Sequence, residues 1–303
     1  MKTGLNAGNF ESKSYKSDLR TYLKKLPALV RVKRWIWSFF NSTDRDVLLS
    51  FPLYAPNSAG GYKGRAALTI QAINQIFPFL SALSASTNGK GIQIQKIEDF
   101  PKTSIDIKAV SDLKNLLDKY GSDKATLHNY HHLYGVILKD RQNVRSIFEI
   151  GLGTNNPDVI SNMVGIGKPG ASPGASLRAF RDYCEVADVY GADIDKGVLF
   201  NENRIQTFYV DQTDPKTFED LSTSIPDDIY LMIDDGLHSP NANIESLKFG
   251  LQKIMVGGWV VVEDILPAAM PVWEVVAAIL PDRFRSYLFR AEGALVFAVE
   301  RLS

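Results

Sequence analysis

Two short apolar runs end in side chains that can do chemistry. Leu231-Met232-Ile233 closes on Asp234-Asp235, with Gly236, Leu237 and His238 following, and Val260-Val261-Val262 closes on Glu263-Asp264. About two dozen residues separate them, enough for one crossover helix between parallel strands. Such strands lie roughly 4.8 Å apart, so acids at their carboxyl ends face one another across the mouth of a sheet. Four carboxylates and an imidazole crowded into one crevice repel unless something positive sits among them. A divalent metal meets that need. Hard oxygen donors, with one histidine and no cysteine in the cluster, favour Mg2+ over a transition metal.

The elements that must position this cluster begin near Arg145, where strand and helix patterns alternate. Strands are expected at 146–150, 188–192, 205–210, 228–233 and 259–263. Helices are expected at 175–184, 215–222, 241–254 and 271–280. The chain closes with strands at 284–289 and 294–299, joined by Arg290-Ala291-Glu292-Gly293 as a β-hairpin. The expected fold is α/β, a doubly wound, mostly parallel Rossmann-like sheet with a C-terminal antiparallel hairpin, whose ligands bind at the carboxyl ends of its strands.

A second set of residues closes the first three strands. Glu149-Ile150-Gly151-Leu152-Gly153 carries glycines where a ligand could lie against bare main chain. A dinucleotide site asks for a third glycine opening a helix directly, but Asn156 and Pro157 stand there and the next helix waits until about Ala175. Glu149 would repel a pyrophosphate and attract the ammonium of S-adenosylmethionine. Asp193, at the end of the second strand, can accept a pair of ribose hydroxyls, and Asp211 and Gln212, at the end of the third, can read an adenine amino edge.

Taken together, Glu149-x-Gly151-x-Gly153, Gly191-Ala192-Asp193-Ile194-Asp195, Val210-Asp211-Gln212, Ile233-Asp234-Asp235-Gly236-x-His238 and Val262-Glu263-Asp264 resemble the class I S-adenosylmethionine-dependent methyltransferases. More narrowly, they are similar to the metal-dependent sugar O-methyltransferases of macrolide biosynthesis. The resemblance spans roughly residues 118–300. It implies that Asp235, Glu263 and Asp264 hold Mg2+, that His238 takes the proton of a sugar or glycoside hydroxyl, and that Asp234 sits nearer the cofactor. It also matches Gly121-Ser122-Asp123-Lys124, with His128 and Tyr130, to a segment that covers the cofactor, so Ser122 and Lys124 join the cofactor set. Two features depart from the pattern: a Gly/Pro-rich insertion between Thr154 and Ala175, and Leu237 where the family places a small residue. The insertion could shape an acceptor pocket or an interface. A nicotinamide-dependent oxidoreductase using Gly151, Gly153 and Asp193, and a cofactor-binding protein without turnover, are the competing readings. His128, His131 and His132 could form a second metal site, but Leu127 and Leu133 beside them suit ordinary packing.

Composition bounds the rest. With 303 residues and 45% apolar content the chain can bury a full core. One cysteine, Cys184, permits no internal disulfide and points to a reducing cytoplasm. The zero net charge conceals 15 Lys+Arg against 6 Asp+Glu in residues 1–105, leaving 19 against 28 in 106–303, or +9 and −9. No nucleic-acid partner is expected. The basic part is expected to pack on the acidic part or on a second subunit of a homo-oligomer. No run suits a transmembrane span, although the aromatic end of a helix expected over 18–40 could touch lipid headgroups as a peripheral contact. The organisation expected is a loose tail over 1–16, a mainly helical basic region over 17–120, a lid or linker over 121–144, and the cofactor-binding domain over 145–303. Within the helical region, a loop is expected over 51–63, and a helix over 64–83 that Pro78 kinks or ends.

Overall fold

A computed structural model describes residues 62–88, 91–163 and 172–303. The tail over 1–16, the helix expected over 18–40 and residues 51–61 of the loop expected over 51–63 lie outside the described residues; Tyr62 and Lys63 already belong to a helix. In order come α1 (Tyr62–Asn88), β1 (Ile94–Lys96), α2 (Ser104–Tyr120), α3 (His131–Ile137), β2 (Ser146–Ile150), α4 (Ala175–Tyr183), β3 (Asp188–Asp193), β4 (Asn201–Glu202) and β5 (Ile205–Tyr209). They are followed by α5 (Pro215–Ser222), β6 (Ile229–Asp234), α6 (Pro240–Lys253), β7 (Ile254–Ile265), α7 (Met270–Ile279), β8 (Phe284–Arg290) and β9 (Leu295–Arg301). The chain divides into two units, Met1–Ile76 and Phe77–Ser303, with the division inside α1. Residues 104–144 lie in the same unit as the sheet. Pro78 does not end α1, which continues for ten residues beyond it. A proline removes one backbone donor, and a helix of 27 residues keeps the rest of its ladder. Among the described residues no helix is long and apolar enough to cross a membrane.

The second unit is built on one nine-stranded sheet in the order β1-β8-β9-β7-β6-β2-β3-β5-β4. Strands β5, β3, β2, β6 and β7 are parallel; β9 runs antiparallel between β7 and β8. Two elements extend the expected sheet at its edges, β1 parallel to β8 and β4 antiparallel to β5. The chain order reverses between β2 and β6, and this switch point is where an open α/β sheet leaves a crevice. Register sets the height of the crevice floor: Ile150 pairs with Asp234, and Asp234 with Val262, so β2 and β6 end at one row while β7 carries Glu263 and Asp264 on to Ile265.

Alternation along the strands explains the two layers of helices. Ile147, Ile233 and Val261 face a core shared with Leu117, Tyr134 and Phe180 of α2, α3 and α4. Phe148, Met232 and Val260 face the opposite way, towards Phe218, Leu247 and Trp273 of α5, α6 and α7. Both faces are covered, as a doubly wound sheet requires.

The start of α2 carries a reciprocal cap. The Thr103 hydroxyl accepts from Asp106 N (3.1 Å), and the Asp106 carboxylate accepts from Thr103 N and Lys102 N (3.0 Å each) and from Lys139 Nζ (2.9 Å). Burial alone would push this carboxyl up, but these four groups hold it well below its ordinary 3.8. A carboxyl lowered in the fold stabilises above its unfolded value, and that contribution is lost as pH falls from there through the folded value. Asp106→Asn is expected to cost about 1–2 kcal/mol at neutral pH. Urea unfolding should show the gap shrinking below about pH 4. A gap that persists unchanged in acid would contradict a charge-based cap.

Candidate functional site

Three turns at the carboxyl edge of the sheet enclose a cavity of about 810 Å3. After β2, Gly151 takes a positive φ of 96° and donates its N–H to Ala192 O (2.9 Å). A Cβ there would lie 2.0 Å from the carbonyl oxygen of Asp235, so only glycine lets the two turns touch. The Asp235 N–H in turn donates to Ile150 O (2.9 Å). The helix start that seemed remote from the glycine turn in sequence returns to it in space. Gly174, just before α4, donates its N–H to Leu152 O (2.7 Å), and the Ser176 hydroxyl donates to Glu149 Oε2 (2.6 Å). A carboxylate therefore occupies the region where a pyrophosphate would be cradled.

On one side of the cavity stand Gly151, Gly153, Asp193 and Asp211. Asp193 is fixed by the N–H groups of Leu152 and Asp195, both at 2.8 Å, and Asp195 accepts from the Thr154 hydroxyl (2.6 Å). Burial raises the Asp193 carboxyl and those main-chain donors oppose it. Asp211 accepts from the Thr213 N–H (2.8 Å) and hydroxyl (2.7 Å) and remains at the cavity wall. Asp158, Val159, Ile160 and Met163, from the described part of the insertion, form another wall.

The opposite side holds the acids and imidazoles. Asp235 Oδ1, Asp264 Oδ2 and His238 Nε2 come together, at 3.9 Å from His238 to Asp235 and 3.7 Å from His238 to Asp264. Among the described residues these three form the group able to hold a metal ion, their ligand atoms all within 4.8 Å. Two carboxylates and one imidazole suit a hard divalent cation. The backbone marks the same residues. His238 (φ 54°) and Asp264 (φ 53°) are two of the three non-glycine residues with positive φ among those described, a conformation that costs about 1–2 kcal/mol each and collects at working sites. Tyr130 donates its hydroxyl to Asp264 Oδ1, and His128 stacks on the Tyr130 ring at 4.8 Å with its Nδ1 3.8 Å from Asp264.

Next to these groups lies a mostly buried ionic cluster centred on Lys124. Its ammonium meets Asp235 Oδ2 at 2.6 Å, Glu149 Oε1 at 3.1 Å and Glu263 Oε2. The Tyr134 hydroxyl donates to the other Glu263 oxygen. Lys124 is 2% exposed, Glu263 1% and Glu149 0%, so water screens none of them. Burial works against the charged lysine, but three carboxylates outweigh it and hold its pKa well above the ordinary range. Burial likewise raises Glu149, Asp235 and Glu263 against the pull of Lys124. One ammonium among four acids, counting Asp264, leaves an excess of negative charge that a divalent cation would offset.

Several expected assignments change. Lys124, expected to cover the cofactor, lines the cavity and pairs with the acids. Its neighbour Ser122 lines the cavity and caps the turn at Asp123–Ala125, accepting from Lys124 N (3.4 Å). Glu149 faces Lys124 and Ser176 rather than the cavity. Glu263, expected as a metal ligand, accepts from Lys124 and Tyr134 and is not among the three residues whose ligand atoms converge. Asp234 is fully buried and accepts from Gln212 Nε2 (2.7 Å) and Asn243 Nδ2 (2.9 Å), while Gln212, itself at the cavity lining, engages its amide with Asp234, Ser246 and Leu237 N. His128, His131 and His132 do not converge. His131 and His132 pack ring to ring at 4.3 Å, and burial lowers His131 to about 4, so it is a neutral core imidazole. Tyr134, Ser176, Asn243 and Ser246 were not foreseen. Tyr130 and Tyr134 are four apart at the start of α3, and Asn243 and Ser246 are three apart on α6, spacings that place each pair on one helix face.

The strand order and its switch point are those of the Rossmann-like class I methyltransferase fold. Against solved structures, the chain is similar to MycE methyltransferase from the mycinamycin biosynthetic pathway, in complex with Mg, SAH and mycinamycin VI (TM-score 0.50, 24% identity, 63% of this chain and 53% of that one). A second crystal form of MycE with Mg and SAH gives the same values. Among curated proteins, it is 32% identical over 171 residues to 8-demethyl-8-alpha-L-rhamnosyl tetracenomycin-C 2'-O-methyltransferase of Streptomyces olivaceus. That match covers 56% of this chain and 42% of the relative, so the chain matches about half or less of these proteins' lengths. No protein-family model matches.

Proposed function

We propose that the protein transfers the methyl group of S-adenosylmethionine to a hydroxyl of a small molecule, a sugar or glycoside, with Mg2+ at the acceptor side. The observation that carries this reading is the cavity itself, which sets Gly151, Asp193 and Asp211 on one side and Asp235, His238 and Asp264 on the other. The first set suits an adenosyl group: Asp193 accepts from ribose hydroxyls and Asp211 faces the adenine edge. Asp235 Oδ1 and Asp264 Oδ2 would hold the cation, with Glu263 set behind them to fix Lys124 and Tyr134. When bound, Mg2+ would lower the pKa of the acceptor hydroxyl and orient it. His238, partly exposed in the cavity, accepts the hydroxyl proton as the carbon–oxygen bond forms and the carbon–sulfur bond breaks. MycE, crystallised with Mg and SAH, and the rhamnosyl 2'-O-methyltransferase support this reading by likeness.

Thermal unfolding with SAH, with and without Mg2+, tests the cofactor half. SAH at about a hundred times its Kd should stabilise the protein by about 2.7 kcal/mol. An unfolding midpoint that ignores SAH under both conditions would remove the proposal.

A further inference from the structure

We infer that Gln212 is a positioning residue for the His238 imidazole, acting through the Leu237 peptide, and that it makes no contact with the cofactor. The inference rests on the proposed role of His238. A primary amide has two N–H donors and one carbonyl, and here all are engaged inside the protein. Nε2 donates to Asp234 Oδ1 and to Ser246 Oγ, both at 2.7 Å, and Oε1 accepts from Leu237 N at 2.8 Å. The reverse orientation would set the carbonyl against the Asp234 carboxylate and an N–H against the Leu237 N–H, so the amide has one acceptable setting. Its two side-chain partners, Asp234 and Ser246, are 0% exposed, and Gln212 itself is 7%. Asp234 is held in turn by Asn243 Nδ2 (2.9 Å) and Gly236 N (3.3 Å).

This network ends one residue before His238, whose φ of 54° needs an external hold. Gly236 allows the close approach, since a Cβ there would lie 2.0 Å from Gln212 Oε1. Gln212 also follows Asp211, at the adenosyl end of the cavity. The amide thus ties the turn after β5 to the turn after β6, and through α6 to the buried face of the sheet. A polar network this deep, satisfied at every atom, specifies a single geometry.

The test is Gln212→Glu, which keeps size and the acceptor for Leu237 but puts an oxygen against Asp234. Ser246→Ala removes one anchor from a position outside the cavity. The chain has four histidines, so imidazole proton signals can be resolved by NMR, with His238 assigned from its own variant. Gln212→Glu is expected to shift the His238 signal and leave those of His131 and His132 in place. The SAH Kd should stay within about threefold while kcat falls at least about tenfold. Ser246→Ala should move both readouts the same way by less. An unmoved His238 signal, or an SAH Kd that weakens in step with kcat as loss of an adenine contact would cause, overturns the inference. So does loss of the His131 and His132 signals in both variants, the mark of a merely structural role. A wild-type protein that binds no SAH overturns the proposed function alone, because the NMR comparison of His238 needs no ligand.

Discussion

Lys124→Met is expected to lower the free energy of unfolding by about 3–5 kcal/mol, a large part of the stability of an ordinary domain. The cause is charge. Lys124 is the cation shared by Glu149, Asp235 and Glu263, and two of those acids are as buried as the lysine. Methionine fills a similar volume and removes the charge, leaving three carboxylates that must retain protons or repel. Mg2+ should restore part of the loss in the variant and act less on the wild type, because the cation would replace the missing positive charge. Urea unfolding with and without Mg2+ measures both effects. A variant within about 1 kcal/mol of wild type would show that the cluster is neutral or open to water.

His238→Asn is expected to reduce methyl transfer about 10²–10⁴-fold, the usual worth of a positioned general base. Asparagine is the informative replacement because it tolerates a positive φ, so the turn keeps its shape while the proton acceptor is lost. SAH binding should stay near the wild-type value, since His238 stands on the acceptor side. Single-turnover transfer to a glycoside acceptor, with cofactor binding measured separately, checks this. Turnover within about threefold of wild type would assign the proton to another group.

Why some of this was legible in the sequence, and some was not, follows from where each signal resides. Apolar alternation and turn residues are local, and the strand at Ser146–Ile150 and the helix at Pro215–Ser222 were readable to the residue. The acids at strand ends were legible as a group for the same reason. Their destinations were not. A polar side chain at the end of a strand can point into the crevice or under the next helix, and the choice depends on partners distant in the chain. Asp234 turns inward because Asn243 and Gln212 wait there, and Glu263 because Lys124 reaches it across 139 residues. The return of α4 to the glycine turn was hidden by the insertion between them.

The glycine turn after β2 and the acidic turn after β6 meet main chain to main chain, with Gly151 against the Asp235 carbonyl. On the proposed reading, the spacing between methyl donor and acceptor is then a property of the sheet. Side chains on the acceptor wall, such as Leu237, Val159 and Ile160, can drift to suit new molecules without resetting that spacing. Acceptor choice is thereby free to evolve while the reaction geometry is inherited unchanged.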